Sequence, residues 1–266
     1  MFDRGVLDGL VLPSGAGNRA DPGSSAVRND GDGEAWIDVS VALGPATPCY
    51  EGDPVFRMEP VSRWIATEPK SYSLSRIEMG THSGTHLDAP AHFGGALGVD
   101  AAPVSLLMGP ALLLDLSADS DRISGTALAR FDLRGVTRLL IKTVAQPNGR
   151  DGTSSDGVGR AGGPGSAGSG SSAAFLTEDA ARYLRGETDV RLVGIDALSV
   201  ESGQGSGFPV HHILLREEPP IWILETLDLR LAVGGWYDLV ALPLKISGAD
   251  ASPARALLRY RIWHGP

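Results

Sequence analysis

The chain has 266 residues, 42% hydrophobic and 21% charged, ordinary values for a globular protein long enough for one large domain or two small ones. Its formal net charge of −9, with no basic run, excludes nucleic-acid binding through clustered Lys and Arg. The single cysteine, Cys49, excludes an intramolecular disulfide, and no apolar run approaches the ~20 residues of a membrane span.

Residues 1–34 read as a flexible tail, because the turn-forming stretch from Pro13 onward has almost nothing to bury. The N-terminus lacks the basic region and apolar core of a secretory signal, so a cytoplasmic protein without a membrane partner is expected. Residues 35–266 read as one domain. Its first strand is predicted over 36–43, where Trp36-Ile-Asp-Val-Ser-Val-Ala-Leu carries β-forming residues. Further strands are predicted over 110–116, 138–144, 190–196, 221–225 and 239–246, several as near-continuous apolar runs of the kind covered on both faces. Helices are predicted over 124–131, over 177–185 with Thr177 as its cap and Glu178 and Asp179 in the first turn, and over 252–259 with Ser252 as cap and Pro253 at the first helical position. Between 146 and 174, nine of 29 residues are Gly and six are Ser, which predicts a surface loop interrupting the domain. Strands and helices mix along the chain, so the class is α/β.

Three of the six histidines fall at 82, 86 and 92, with Asp88 among them; His211 and His212 form an adjacent pair. A helical H-E-x-x-H site does not fit His82 and His86, because Gly84 lies between them, Thr81 and Thr85 are β-branched, and Pro90 follows. An extended stretch does fit. Residues of equal parity share one face of a strand, and 82, 86, 88 and 92 are all even. Gly84, on the same face, would leave room for a metal or substrate to approach. Imidazole and carboxylate ligands suit Zn²⁺ or Mn²⁺, and two His with one Asp leave a coordination position open, as catalytic sites do.

The stretch His82-Ser-Gly-Thr-His86-Leu-Asp88-Ala-Pro-Ala-His92-Phe resembles the signature of the metal-dependent cyclase family, which contains the bacterial kynurenine formamidases (arylformamidases). The resemblance extends over roughly 36–260. It takes in Pro48-Cys-Tyr50-Glu-Gly-Asp-Pro, Val193-Gly-Ile-Asp-Ala-Leu-Ser-Val, His211-His-Ile-Leu-Leu, Ile223-Leu-Glu225-Thr-Leu, and the segment from Ala241 to Ala256. It implies a swivelling β/β/α domain, a mixed sheet with flanking helices, assembled as a homodimer or homotetramer. By matching position, His82, His86 and Asp88 would bind one metal ion, and Asp88, His211 and Glu225 a second, two Zn²⁺ per subunit with Mn²⁺ as the alternative. His211 is favoured over His212 as the ligand. His92 would be the general acid/base. Tyr50 stands at a substrate-contacting aromatic position where the family has Trp. The segment around Glu217-Glu-Pro-Pro is about two residues longer than the family pattern, and 146–174 has the character of an insertion.

The implied activity is hydrolysis of N-formylkynurenine to kynurenine and formate in tryptophan catabolism. The alternative keeps the site and changes the small-molecule substrate to a cyclic amide such as isatin, a lactone, or another small amide or ester. A non-catalytic metal-binding protein is the reading from a different class, and His92 beside the ligands argues against it. No G-x-S-x-G elbow or phosphate-binding glycine loop ending in Lys-Ser/Thr occurs in the chain.

Overall fold

Thirteen strands and four short to medium helices make up the described part of the protein, which in the computed structural model comprises residues 26–27, 36–50, 52–143, 174–202 and 207–261. The expected tail, apart from Ala26–Val27, and the Gly/Ser segment, apart from Ala174, lie outside the described residues. In chain order the strands are β1 (Ala26–Val27), β2 (Trp36–Asp38), β3 (Arg57–Ser62), β4 (Leu74–Glu78), β5 (His86–Asp88), β6 (Met108–Asp115), β7 (Arg122–Ile123), β8 (Arg138–Lys142), β9 (Phe175–Leu176), β10 (Leu192–Ile195), β11 (Trp222–Glu225), β12 (Gly235–Pro243) and β13 (Ala251–Tyr260). The helices are α1 (Val104–Leu107), α2 (Gly125–Leu128), α3 (Glu178–Glu187) and α4 (Pro209–His211). No described helix is long and apolar enough to cross a membrane.

The main sheet runs β1-β2-β13-β12-β6-β8-β10-β11-β5, and β13 also pairs with β5. That last pairing closes the strands from β13 round to β5 into a barrel, and β2 and β1 extend from its seam. The pairs β6–β8, β8–β10 and β10–β11 are parallel; the others around the barrel are antiparallel. This mixed barrel with few flanking helices agrees with the expected swivelling β/β/α class. The parallel strands carry the all-apolar runs, and their side chains divide between two cores by strand parity. Leu87, Leu113, Leu140, Leu192, Trp222 and Leu224 pack with Tyr237 and Leu239 in the barrel core. Leu114, Leu139, Ile141, Val193, Ile195 and Ile223 pack on the other face, beneath Leu184 of α3 and Val210 and Leu214 of the His211 segment.

Two expected helices come out differently. The segment 252–259 is strand β13, not a helix. Ser252 does not cap: its hydroxyl donates to the Pro253 carbonyl and accepts from Leu244 N–H. Downstream the burial alternates with period two, placing Ala256 and Leu258 inside, while Arg255 and Arg259 pair across strands with Asp38 and Asp238. The expected helix 124–131 is shortened to α2, capped by Ser124 accepting from Ala127 N–H at 3.1 Å. Helix α3 forms as expected, burying Ala180, Ala181 and Leu184. Thr177 stands at its N-cap position, but its hydroxyl donates to Ile123 O and Asp179 instead of accepting from the helix.

Candidate metal centre

The candidate residues meet where β5 lies between β11 and β13. The register pairs Asp88 with Ile223 and His86 with Glu225 on one side, and Asp88 with Ala251 and His86 with Pro253 on the other. Leu87 and Leu224 point into the barrel core, so His86, Asp88 and Glu225 share the opposite face. The equal-parity reading thus holds for His86 and Asp88. It does not describe His82 and His92. His82 lies in a turn before β5, and His92 lies in a 3-10 turn, Pro90–Phe93, that begins at the proline. Gly84 also has a different reason from the expected one. Its φ is +62°, and an added Cβ would meet Leu43 Cδ2 at 2.8 Å. Glycine is required there by the turn, not to leave a face open.

The polar atoms converge closely. His82 Nδ1 and His86 Nε2 lie 2.9 and 3.3 Å from Asp88 Oδ1. His86 Nε2 is 3.4 Å from Glu225 Oε2, while His211 Nε2 is 3.5 Å from Glu225 Oε1 and 3.8 Å from Asp88 Oδ2. Asp88 is fully buried, and His86, His211 and Glu225 are nearly so. Even so, His86 Nε2 and both Asp88 carboxylate oxygens have no hydrogen-bond partner of acceptable geometry. Leaving a buried ionised group unpaired costs several kcal/mol, roughly, unless a metal or counter-charge compensates it. These atoms without a well-formed hydrogen bond, with one ligand atom each from His82, His86 and Asp88 all within 4.8 Å of one another, fit a divalent cation. Asp88, His92 and His211 meet the same spacing, as do His82, His92 and Asp250.

The electrostatics follow from this crowding of charge. Burial disfavours the cationic forms of His86 and His211, but Asp88 with Glu225 in the first case, and Glu201, Glu225 and Asp88 in the second, raise both to about 10. Burial pushes the Asp88 carboxyl up, and His86 and His82 outweigh it, holding the group well below the usual range. His92 goes the other way: burial lowers it, and the neighbouring His82 and His211 add to that effect against Asp88. The Tyr50 phenol is raised by burial and then by Glu225, which places its ring beside the cluster; a hydrogen bond with Ser199 opposes the rise.

Several contacts hold these side chains. Val200 N–H donates to Glu225 Oε1 at 2.7 Å. Thr85, between the two histidines, donates to Thr226 O at 2.6 Å and accepts from Val41 N–H at 2.8 Å. Thr226 itself is β-branched with φ +58°, a strained conformation directly after Glu225. His211 closes α4 and is followed by a π-helical stretch, His212–Arg216, and Arg185 of α3 donates to the carbonyls of Ile213, Leu214, Glu217 and Pro219. The His212 ring packs on Phe93 at 5.0 Å, and His212 is not among the residues of the metal-ligand clusters.

Sequence reasoning missed four residues here. Glu201 contacts His211 Nδ1 at 2.9 Å, and Asp250 lies 3.2 Å from His82 Nε2 and 3.9 Å from His92 Nδ1. Phe93 stacks on His211 at 4.9 Å, and Phe208 lies 5.6 Å from Phe93. Phe208 is half exposed and sits at φ +50°. Only Phe93 and Asp250 had a signal, since both lie inside the segments that carried the resemblance.

The Cyclase family model matches residues 37–202. Kynurenine formamidase from Geobacillus thermodenitrificans (strain NG80-2) is 38% identical over 226 residues, which cover 84% of this chain and 97% of that protein. A solved structure described as a "predicted metal-dependent hydrolase", from Bacillus stearothermophilus, has 31% identity and a TM-score of 0.65 over 85% of this chain and 98% of its own. Isatin hydrolase A from Ralstonia solanacearum shares the fold at 22% identity, with a TM-score of 0.66 over 85% of this chain and 92% of its own.

Proposed function

The chain belongs to the Cyclase family, and from that premise we propose that it hydrolyses N-formylkynurenine to kynurenine and formate with two divalent ions, Zn²⁺ ahead of Mn²⁺. It is a metal-dependent hydrolase of amide C–N bonds, and its formamidase relatives support the finer substrate. The single observation that carries the metal reading is the set of buried, partnerless atoms on His86 and Asp88 at the centre of a His/carboxylate cluster. His82, His86 and Asp88 would hold one ion. Asp88, His211 and Glu225 would hold the other, with one Asp88 oxygen turned toward each group of histidines.

A divalent ion supplies Lewis acidity there and lowers the pKa of water from ~15.7 to about 7. The protein's own groups supply the rest. His92 is 29% exposed at the rim of the cluster, so it can reach substrate, and its lowered pKa keeps it neutral near pH 7. Its Nδ1 faces Asp250, which leaves Nε2 to take a proton from the attacking water and return it to the aryl nitrogen as the C–N bond breaks. That transfer is needed because an arylamide anion is a poor leaving group. Tyr50, Phe93 and Phe208 are the aromatic side chains that would contact the aryl ring, as aromatic side chains do by edge and offset contacts.

The test is a steady-state assay of the chelated and metal-restored protein against N-formylkynurenine and isatin. Metal-dependent turnover of N-formylkynurenine is expected. Turnover of isatin alone would reassign the substrate, and activity surviving complete demetallation would end the reading.

A homodimer or homotetramer belongs to the same proposal. The β3–β4 hairpin exposes Met58, Val61, Trp64, Tyr72, Leu74 and Ile77 together, and a lone two-stranded hairpin is marginally stable in water. A second copy covering it supports both the exposure and the assembly. Trp64→Glu should lower the mass measured by light scattering; an unchanged oligomer would move the interface elsewhere.

A further inference from the structure

Glu201 lies outside the set of expected metal ligands, yet its carboxylate is 8% exposed and directed at one of them. Its Oε2 is 2.9 Å from His211 Nδ1 and accepts the His211 backbone N–H at 3.2 Å; Oε1 accepts the Val210 N–H at the same distance. We infer that Glu201 is the positioning residue for the metal site that contains His211.

A neutral imidazole has one N–H donor and one acceptor nitrogen. A carboxylate at Nδ1 keeps the proton there, so the lone pair is at Nε2, the atom that faces Glu225 and Asp88 at 3.5 and 3.8 Å. The same contact fixes the ring plane and raises the basicity of the coordinating nitrogen. The two backbone N–H groups hold the carboxylate, and they come from the segment that carries His211, so the brace and the ligand move as one unit. The other two histidines are held less strongly. His86 Nδ1 meets a neutral carbonyl, that of Gly84, at 2.8 Å. His82 Nε2 meets Asp250, whose carboxyl is 43% exposed and screened by water. Among these three braces, Glu201 alone is both charged and buried, where electrostatic interaction is strongest. His212 has no such brace: its Nδ1 is buried without a partner.

This inference rests on the two-metal reading, and the experiment separates the two. The chelated full-length protein is titrated with Co²⁺, following heat and visible absorption, and the melting temperature of the metal-free protein is recorded. Wild type should take up two equivalents. Glu201→Gln loses the charge and keeps an acceptor oxygen for only one of the two backbone N–H groups. It should bind one equivalent as wild type does and the other about 10- to 100-fold more weakly, with a changed cobalt band. Its metal-free Tm should fall by only a few degrees, roughly the size of one lost backbone hydrogen bond. Glu201→Asp should recover part of the lost affinity. Two equivalents bound by Glu201→Gln with wild-type affinity and spectrum would overturn the inference alone. So would a parallel loss of both equivalents together with a larger fall in metal-free Tm in both variants, which would make Glu201 structural. Uptake of one equivalent by wild type would overturn the two-metal reading and this inference with it.

Discussion

Asp196 offers a stability prediction that does not depend on the metal. It follows β10, is 3% exposed, and faces Thr143 at the end of the neighbouring parallel strand β8. Burial raises its carboxyl to about 7 from an ordinary 3.8, against hydrogen bonds from Thr143 N–H at 3.0 Å and the Thr143 hydroxyl at 2.7 Å. The sign follows from linkage. A group whose folded pKa is raised binds its proton more tightly in the folded state, so its stabilising contribution is fully present below pH ~4 and is lost as the pH rises to about 7. At about 1.36 kcal/mol per tenfold change in proton affinity, the loss is capped near 4 kcal/mol. The Thr143 bonds favour the anion and are already included in that shift, so about 4 kcal/mol is an upper bound.

Asp196→Asn removes the titration while keeping a carbonyl oxygen that can accept from Thr143. Urea midpoints of both proteins are to be measured from pH 4 to 8 after chelation. The stability of the variant relative to wild type should rise across pH 5–7 and level off above it. Titrations elsewhere affect both proteins alike and cancel in the difference. Parallel curves over the whole range would refute the argument and show that the Thr143 bonds hold the carboxylate ionised throughout.

The remaining predictions concern the site. His92→Ala should retain its metal by elemental analysis yet lose about 10²–10⁴-fold in turnover, the usual contribution of a positioned proton carrier; wild-type kcat would remove that role. Asp88→Asn should lose bound metal from both halves of the site, because each carboxylate oxygen faces a different set of histidines; two retained equivalents would contradict the bridging assignment. Phe208→Gly relieves a left-handed conformation costing about 1–2 kcal/mol for a residue with a Cβ. It also removes an aromatic contact worth about 0.5–1.5 kcal/mol. The KM for an aryl formamide should therefore rise about three- to tenfold with little fall in Tm, and an unchanged KM would place the ring outside the substrate space.

How much of this was legible in the sequence depended on how local each cause was. The apolar runs at 138–142 and 192–195 identify buried parallel strands because their reason lies within four or five residues. His86 and Asp88 share a face for an equally local reason, the two-residue period. The positions of His82 and His92 were less accessible. The turn at Gly84 and the 3-10 turn at Pro90 bring both to the cluster by geometry that parity does not describe. Glu201 was beyond reach in another way. Its contact with His211 spans ten residues, a separation that no spacing rule specifies.

The misread segment 252–259 and the missed Asp250 have one cause. A helix opening at Ser252 would carry the chain away from β5. As a strand, β13 instead sets Ala251 opposite Asp88, and the Asp250 carbonyl accepts from Ala89 N–H at 2.9 Å. That register delivers the Asp250 carboxylate to His82 and His92. The same pairing closes the barrel, so closure and site assembly are one event. A slip of one residue in β5 would turn Leu87 toward Glu225 and bury His86 and Asp88 among the leucines of the barrel core, exchanging an apolar contact for two unpaired polar groups. The cost of that exchange makes the alternation at 86–88 both the device that fixes register and the device that aims the ligands. Asp250 is positioned by the same device from the partner strand, although its sequence neighbourhood, Gly-Ala-Asp-Ala-Ser-Pro, carries helix-start signals when read alone.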